Sequence, residues 1–239
     1  FDMAGKIGEI AKKHNVGFVY KTSFDKANRT SLKGKRGAGL ENSLPVFDKI
    51  KKNLGVPILT DVHSVEQCSA VANHVDIIQI PAFLCRQTDL LVAAAKTNKI
   101  INVKKGQFLA PWDIKGILSK TEDATEVWIT ERGTSFGYNT LVVDFTGLDY
   151  MLDNYDNPIV LDATHSVQKP GGLGGSSGGN RNYVPGFCRP GSALGIENFF
   201  LEVHDDPDNA PSDGPNMLHL KDFEKVIKDI DEYRYIDTR

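Results

Sequence analysis

The stretch Val56–Pro81, VPILTDVHSVEQCSAVANHVDIIQIP, contains the pattern that decides the fold. It begins with an apolar run that ends in Asp61 and His63, and it closes with a second apolar run that begins at Val75. The residues between the two runs look helical. Short, continuous apolar runs are typical of strands that are buried on both faces. The stretch therefore predicts a strand–helix–strand unit of a parallel sheet.

The same unit recurs along the whole chain. Seven apolar runs begin at Gly17, Val56, Val75, Ile100, Glu126, Pro158 and Asn198. Helices are predicted over Phe1–His14, Leu40–Asn53, Val65–Asn73, Thr88–Thr97, Trp112–Lys120, Leu148–Asn154, Val184–Leu194 and Lys221–Tyr233. Since α/β barrels of about 250 residues are single domains, we expect residues 1–239 to form one α/β domain, a TIM (β/α)8 barrel whose first strand would precede Phe1. An open, doubly wound sheet of seven strands is the alternative.

Polar or ionisable residues lie at or near the end of each run. They are Lys21, Asp61, His63, Gln79, Lys104, Lys105, Arg132, Asp162, His165, Glu202 and His204. The interior of a strand has no need of such residues, whereas a parallel barrel carries its active site at the carboxyl ends of its strands. The pattern therefore indicates an enzyme.

The composition excludes several classes of partner. The net charge is −3 and no Lys/Arg block stands apart from acidic neighbours, so nucleic acid is not expected. No apolar stretch reaches the roughly 18 residues of a membrane helix. Neither a signal peptide nor a transit peptide is visible, and the three cysteines form no CxxC pair. We therefore expect a cytoplasmic protein with reduced, buried thiols.

Cationic side chains follow three of the runs. The segment Lys21–Ser31, KTSFDKANRTS, suits a phosphorylated, carboxylated ligand, because Arg pairs with phosphate through two parallel hydrogen bonds and Lys adds a point charge. Lys104 and Lys105 are expected to point to opposite sides of their strand. One of them, together with Arg132, would form a clamp for an oxyanion; a lysine there could also transfer a proton or form a Schiff base.

One imidazole and two carboxylates form a third set. His165 ends a strand, Glu202 is expected inside an otherwise apolar strand, and Asp213 follows in an acidic loop. They could hold a divalent cation with an open position, or they could act in general acid–base catalysis without a metal. The glycine-rich segment Pro170–Gly179 lies directly after His165 and is expected to be a mobile flap.

These motifs together resemble one enzyme family, 3-deoxy-D-manno-octulosonate 8-phosphate synthase (KDO8P synthase). The similarity runs through nearly the whole chain, in order. It is carried by FDKANRTS at Phe24–Ser31, TDVH at Thr60–His63, IQIPAFLCRQTDLL at Ile78–Leu91, NVKKGQF at Asn102–Phe108, TERGTSFGYNTLVVD at Thr130–Asp144 and DATHSVQ at Asp162–Gln168.

The resemblance implies a (β/α)8-barrel transferase that condenses phosphoenolpyruvate with D-arabinose 5-phosphate and water, releasing phosphate. Its product enters lipopolysaccharide core biosynthesis. Lys21 and Lys26 match residues at the phosphoenolpyruvate carboxylate, and Lys104 and Arg132 match residues at its phosphate. The implied substrate-binding residues are Lys21, Lys26, Asn28, Arg29, Ser31, His63, Gln79, Ala82, Arg86, Lys104 and Arg132. Around the sugar phosphate the family commonly has Ser where this chain has Thr30.

The resemblance also implies catalytic residues, a metal and an oligomer. Lys104, His165 and Asp213 are the candidate acid and base, with their roles unassigned. His165, Glu202 and Asp213 match the metal ligands of metal-dependent members, and the sequence favours a divalent ion such as Zn, Fe or Mn. Arg86 matches an arginine that reaches a neighbouring subunit, so a homotetramer is expected. The alternatives are a synthase that uses erythrose 4-phosphate, a Schiff-base lysine aldolase and a non-catalytic sugar-phosphate-binding barrel.

Overall fold

Each of the seven apolar runs contains a strand, although most of these strands are shorter than the runs. The computed structural model describes residues 1–172, 174, 177–210 and 212–234. The seven strands are β1 (Tyr20–Lys21), β2 (Ile58–Asp61), β3 (Ile77–Ile80), β4 (Ile100–Lys104), β5 (Glu126–Glu131), β8 (Ile159–Asp162) and β11 (Asn198–Phe200). Six short strands make three two-stranded pairs: β6 (Thr134–Ser135) with β7 (Leu141–Val142), β9 (Gln168–Lys169) with β10 (Gly178–Gly179), and β12 (Val203–His204) with β13 (Leu218–His219).

The long sheet has the strand order β1-β2-β3-β4-β5-β8-β11. This order follows the chain without a reversal, whereas a doubly wound sheet reverses its strand order at a switch point. The doubly wound alternative is therefore wrong. The chain has a mixed α/β fold with a seven-stranded sheet in the sequential order that a TIM barrel requires.

The predicted helices are confirmed to within a few residues. They are α1 (Asp2–Lys13), α2 (Leu40–Leu54), α3 (Val65–Ala72), α4 (Thr88–Ala95), α5 (Lys115–Leu118), α6 (Phe145–Asn154), α8 (Val184–Ala193) and α9 (Leu220–Arg234). The segment predicted around α5 is divided, since a 3-10 turn at Pro111–Ile114 precedes it. One further short helix, α7 (Ala163–Ser166), was not predicted.

The chain packs into two compact units. Unit 1 contains Phe1–Arg29, Gly34–Gly106 and Asp113–Ile129; unit 2 contains Thr30–Lys33, Gln107–Trp112 and the chain from Thr130 onward. In unit 1 the strands β1 to β4 pair in parallel, with Leu59 beside Ile77 and Ile77 beside Ile100. In unit 2 the strands β8 and β11 pair in parallel. That residues 1–239 form one barrel domain stays a prediction.

Each unit has its own apolar core. All four residues of β2, of β3 and of β8 are buried, as the continuous apolar runs predict. In unit 2 the helices α8 and α9 pack together, and the Ser192 hydroxyl donates to the Ile230 carbonyl oxygen at 2.6 Å. Burial of each Val, Leu or Ile side chain contributes about 1.5–3 kcal/mol, so these cores hold the strand ends in place.

The three cysteines are free and buried, as predicted. Burial raises the pKa of Cys68 to about 11 and that of Cys188 to about 12. At neutral pH these thiols carry no thiolate, the form that reacts. They are core residues.

The glycine-rich segment Pro170–Gly179 is described only in part. Gly178 and Gly179 form β10 and pair with β9. Residues 173, 175 and 176 lie outside the described residues, and the predicted flap depends on them. That prediction therefore stays untested.

No described helix combines the length and the apolar character that crossing a bilayer requires.

Candidate active site

In unit 1 a charged cluster forms around Asp61, the last residue of β2. The Asp61 carboxylate accepts a hydrogen bond from the Ser23 hydroxyl at 2.5 Å and lies 3.0 Å from His63 Nε2. The Lys21 ammonium is 3.6 Å from the same carboxylate and donates to Ser23 at 2.7 Å. Lys21 ends β1 and β1 pairs with β2, so the register of two parallel strands brings these groups together. Two predicted site residues, Lys21 and His63, are therefore neighbours.

The charge of Asp61 depends on those neighbours. Burial by itself would raise the pKa of Asp61, but the Lys21 ammonium and the hydrogen bonds from His63 and Ser23 outweigh burial and lower it. Asp61 is thus a carboxylate at neutral pH and holds Lys21 in a fixed place. The ring of Phe24, which is buried, meets the His63 ring edge-on at a centroid distance of 5.9 Å.

Further predicted residues of unit 1 line the ends of β3 and β4. The Asn102 amide donates to Gln79 Oε1 at 3.1 Å, and both side chains are buried. Ala82 is buried in a 3-10 turn that directly follows β3. Lys104 is 6% exposed and Lys105 is 1% exposed. Both side chains are therefore largely removed from water at the carboxyl end of β4.

The predicted sugar-phosphate residues occupy a loop with more exposed side chains. The Lys26 backbone N–H donates to Arg36 O, and the Arg29 Nε donates to Lys35 O at 2.8 Å. Ser31 Oγ accepts a hydrogen bond from the Lys33 N–H at 3.3 Å. Asn28 is exposed. These residues therefore lie in a loop, and side chains as well as backbone groups make the hydrogen bonds within it.

Arg86 lies beyond the 3-10 turn that follows β3, and its side chain is exposed. Its backbone oxygen accepts a hydrogen bond from Lys120 Nζ at 3.3 Å. This backbone contact fixes the main chain at Arg86 and leaves its guanidinium at the surface.

In unit 2 the placement of His165 corrects the prediction that it ends a strand. The strand β8 stops at Asp162, and His165 lies three residues later in α7. The Asp162 side chain is the reason: one oxygen accepts from the His165 backbone N–H at 2.9 Å, so Asp162 caps the helix. The other oxygen lies 2.7 Å from His165 Nδ1. A carboxylate only accepts, so Nδ1 carries a proton, and in the neutral ring the lone pair is on Nε2.

Glu202 is also placed differently from its prediction inside a strand. It lies between β11, which ends at Phe200, and β12, which begins at Val203. Its backbone N–H donates to the Thr164 hydroxyl at 2.9 Å, and its backbone oxygen accepts from the Leu218 N–H at 2.9 Å. Inside a strand, the alternation of side chains would set the direction of this carboxylate. Here the strand is interrupted, and the two hydrogen bonds fix the backbone of Glu202 instead.

The third predicted set is nevertheless brought together. One donor atom each from His165, Glu202 and Asp213 lies within 4.8 Å of the others. His165 Nε2 is 3.8 Å from Glu202 Oε1. Glu202 Oε2 is buried and makes no hydrogen bond within the described part of the chain. An imidazole held by a carboxylate at its other nitrogen, with two further carboxylates, is a donor set that fits a divalent transition metal.

Arg132 is connected to this set through Gln168. Arg132 Nη2 donates to Gln168 Oε1 at 3.0 Å, and Gln168 Nε2 donates to Asp213 Oδ1 at 3.0 Å. The Gln168 amide therefore bridges a guanidinium and a carboxylate through two hydrogen bonds.

The surroundings of Arg132 suit an anion site. Burial lowers the pKa of this guanidinium, and the carboxylates of Asp162, Glu131 and Asp213 oppose that shift. Arginine nonetheless stays charged in proteins. Its Nη1 is buried and has no hydrogen-bond partner in residues 1–172, 174, 177–210 and 212–234. A buried donor without a partner is costly, and a substrate oxygen would satisfy it.

Two functional residues of this site were not in the predicted set. Asp162 was noted only as polar, although its spacing from His165, D-x-x-H, is that of a helix cap that can also reach the ring. Gln168 belongs to the motif DATHSVQ but carries no charge, and no local pattern signals a bridge to Asp213.

A cavity of about 840 Å³ in unit 2 lies elsewhere, lined by Arg181, Arg189, Asp208, His219 and Asp229 among others. Its arginines are paired, Arg181 with Asp208 at 2.6 Å and Arg189 with Asp229 at 3.2 Å. Both arginines of this lining are therefore engaged in ion pairs.

The comparisons with known proteins assign the chain to a family. Residues 1–236 match the model of the DAHP synthetase I family. The chain is thus an α/β enzyme of that family. A 2-dehydro-3-deoxyphosphooctonate aldolase from Chelativorans sp. (strain BNC1) is 60% identical over 230 residues, which are 95% of this chain and 83% of the relative.

Two more relatives carry the same name. The protein from Bartonella henselae is 54% identical over 100% of this chain and 86% of its own length. The protein from Rhodopseudomonas palustris (strain ATCC BAA-98 / CGA009) is 57% identical over 97% of this chain and 82% of its own length. The chain belongs to the 2-dehydro-3-deoxyphosphooctonate aldolases (KDO8P synthases) of the DAHP synthetase I family.

Proposed function

We propose that this chain condenses phosphoenolpyruvate with D-arabinose 5-phosphate and water to give 3-deoxy-D-manno-octulosonate 8-phosphate and phosphate. The product is a precursor of the lipopolysaccharide core. The observation that carries the proposal is the identity of 54–60% to enzymes of that name over 95–100% of this chain. The buried Arg132 and the His165 ring that contacts Asp162 support the proposal.

The cationic residues bind and orient phosphoenolpyruvate in this proposal. Arg132 presents a buried Nη1 donor to a phosphate oxygen, and Lys104 supplies a second positive charge. Lys21 and Lys26 bind the carboxylate end. Phosphoenolpyruvate must present C3 to the sugar aldehyde while water adds at C2, and fixed charges at both ends orient it and offset its charge.

In this proposal the sugar phosphate is bound by Asn28, Arg29 and Ser31. The other predicted substrate contacts come from His63, Gln79, Ala82 and Arg86. The exposed loop that carries the first three residues suits a large, polar substrate. Arg86 would act on a neighbouring subunit of a homotetramer, in agreement with its exposed side chain. Size-exclusion chromatography with light scattering tests that assembly. We also propose a cytoplasmic location and a single barrel domain.

His165, Glu202 and Asp213 would hold a divalent metal ion such as Zn, Fe or Mn. When bound, the ion supplies positive charge that polarises an oxygen atom in contact with it. Asp162 keeps the His165 proton on Nδ1, so that Nε2 faces the site. Gln168 bridges Asp213 and Arg132. Proton transfer is assigned to Lys104, His165 and Asp213 as a group.

The test is release of inorganic phosphate from phosphoenolpyruvate in the presence of arabinose 5-phosphate, with and without a chelator, followed by mass spectrometry of the product. We expect an eight-carbon sugar acid phosphate, and a loss of activity with chelator that added metal restores. Faster turnover with erythrose 4-phosphate would favour the related synthase instead. A lysine adduct trapped by borohydride would favour a Schiff-base aldolase through Lys104 or Lys105.

A further inference from the structure

The position of Asp213 depends on the fold of a loop. Asp213 lies between β12 and β13 and has a φ of 55°, in the left-handed region. Its backbone oxygen accepts hydrogen bonds from the Asn216 N–H at 2.8 Å and the Met217 N–H at 3.2 Å. Aspartate adopts this conformation more readily than most residues other than glycine, and contacts with the surrounding chain hold it here. The residues that make these contacts therefore decide where the Asp213 carboxylate lies.

Arg181 makes the contacts that hold this loop. Its Nη2 donates to the Gly214 backbone oxygen at 2.8 Å and to Asp208 Oδ1 at 2.6 Å. Its Nη1 lies 2.7 Å from His219 Nε2. Its own backbone N–H donates to the Pro215 oxygen at 2.9 Å. Arg181 thus contacts the loop at Asp208, which precedes Asp213, and at Gly214 and Pro215, which follow it. It also contacts His219, which lies in the strand after the loop.

The backbone that carries Arg181 is itself fixed against the loop. A Cβ atom on Gly179 would lie 1.5 Å from Asn216 Oδ1 and 2.8 Å from the Val167 oxygen, so only glycine fits there. Asn180 caps the 3-10 turn Arg181–Tyr183, since its side chain accepts from the Asn182 N–H at 3.0 Å. The segment therefore meets the loop at a close and defined distance.

The geometry of the guanidinium matters more here than its charge. Asp208 has a side chain that is 72% exposed, and exposed ion pairs contribute little to stability. The Arg181 side chain is only 18% exposed, and its planar fork serves three acceptors at once. A lysine could not reach all three. The bond to the Gly214 oxygen is the decisive one, because that carbonyl belongs to the residue next to Asp213.

We propose that Arg181 is a positioning residue that places the Asp213 carboxylate by fixing the backbone of the loop around it. Arg181 touches neither substrate nor metal in this role. The inference rests on the proposed function in one respect: it takes Asp213 to be a metal ligand of that site.

The experiment compares Arg181→Met with Arg189→Met in the full chain. Arg189 is the matched control because it makes an ion pair with Asp229 between α8 and α9, within the same unit but not with the loop. Mn²⁺ affinity is measured by equilibrium titration, and amide exchange is followed at Gly214, Asn216 and Met217. Loss of an outer-shell partner typically weakens metal binding 10–100-fold. We expect that loss, with faster exchange of these amides, in Arg181→Met only.

Arg181→Lys covers the case in which Arg181→Met does not fold. It keeps the positive charge but not the fork, and we expect a smaller loss of Mn²⁺ affinity in the same direction. Wild-type Mn²⁺ affinity in the folded Arg181 variant overturns the inference, whether or not the loop amides exchange faster.

The two proposals can fail separately. If the wild-type chain binds no Mn²⁺, the metal part of the proposed function fails. Arg181 is then judged by turnover: Arg181→Lys should lower kcat while the KM for phosphoenolpyruvate stays unchanged. An unchanged kcat would overturn the inference about Arg181 in that case.

Discussion

Replacing Asp162 by asparagine should change which nitrogen of His165 carries its proton. Asp162 now accepts two hydrogen bonds from one residue, at Oδ1 from the His165 backbone N–H and at Oδ2 from the His165 ring. Asparagine has one acceptor oxygen and one NH₂ donor in the same plane. It can therefore accept only one of the two bonds. If its oxygen keeps the helix cap, its NH₂ faces Nδ1, and the ring must carry its proton on Nε2.

The expected loss of metal affinity follows from the loss of the lone pair on His165 Nε2. His165 Nε2 faces Glu202 and is the nitrogen available to a metal, and a proton there blocks it. Changes of outer-shell partners weaken metal binding 10–100-fold, which is about 1.4–2.7 kcal/mol. If asparagine instead keeps the ring bond, the helix cap is lost, at about 1 kcal/mol of folding stability. In that case the variant would lose folding stability but keep most of its metal affinity.

The assay is a titration with Mn²⁺, together with the ¹⁵N spectrum of the His165 ring, which distinguishes the two tautomers. Asp76→Asn is the matched control. The Asp76 carboxylate also accepts one backbone bond, from the Ile58 N–H at 2.9 Å, and one side-chain bond, from Lys51 at 2.7 Å. We expect Asp76→Asn to bind Mn²⁺ as the wild type does. A proton that remains on Nδ1 in Asp162→Asn, together with wild-type Mn²⁺ affinity and wild-type stability to urea, would refute the reasoning.

Three further predictions concern neighbouring groups. Gln168→Met should allow Arg132 and Asp213 to pair directly, so that Mn²⁺ affinity falls and the KM for phosphoenolpyruvate rises together; a change in only one of them would contradict the bridge. Arg132→Lys keeps the charge among the buried carboxylates but not the two parallel bonds, so kcat/KM for phosphoenolpyruvate should fall at least tenfold while urea denaturation shows a smaller change in stability than for Arg132→Ala. The pKa of Asp61 is lowered in the folded state, mainly by Lys21 against the effect of burial, so its contribution to stability is present above pH ~4 and is lost as the pH falls. The difference in unfolding free energy between wild type and Asp61→Asn should therefore shrink below pH ~4, by up to about 1.4 kcal/mol per pH unit; a difference that stays constant down to pH 2 would argue against the ion pair.

Most elements of the fold could be predicted because periodicity is a local property. The helix α2 was predicted over Leu40–Asn53 and is found over Leu40–Leu54. The run Val75–Pro81 contains β3 (Ile77–Ile80), and all four residues of β3 are buried. The short pairs such as β12 with β13 could not be predicted, since two-residue strands have no period to detect. Likewise, no pattern within PIVLDATH shows that its strand ends at Asp162, because that depends on where a side chain makes its bonds.

The amino-acid order by itself determined the family, the alternation of buried strands and helices, and the types of residue at the strand ends. Those features follow from motifs and from local hydrophobic patterns. Only the tertiary structure decided which groups meet: that Lys21 and His63 share Asp61, that Gln168 stands between Arg132 and Asp213, and that His165 turns Nε2 toward Glu202. The reason is that these contacts join residues far apart in the chain. Their distances are set by strand register and by loop bonds, which no local stretch of sequence contains.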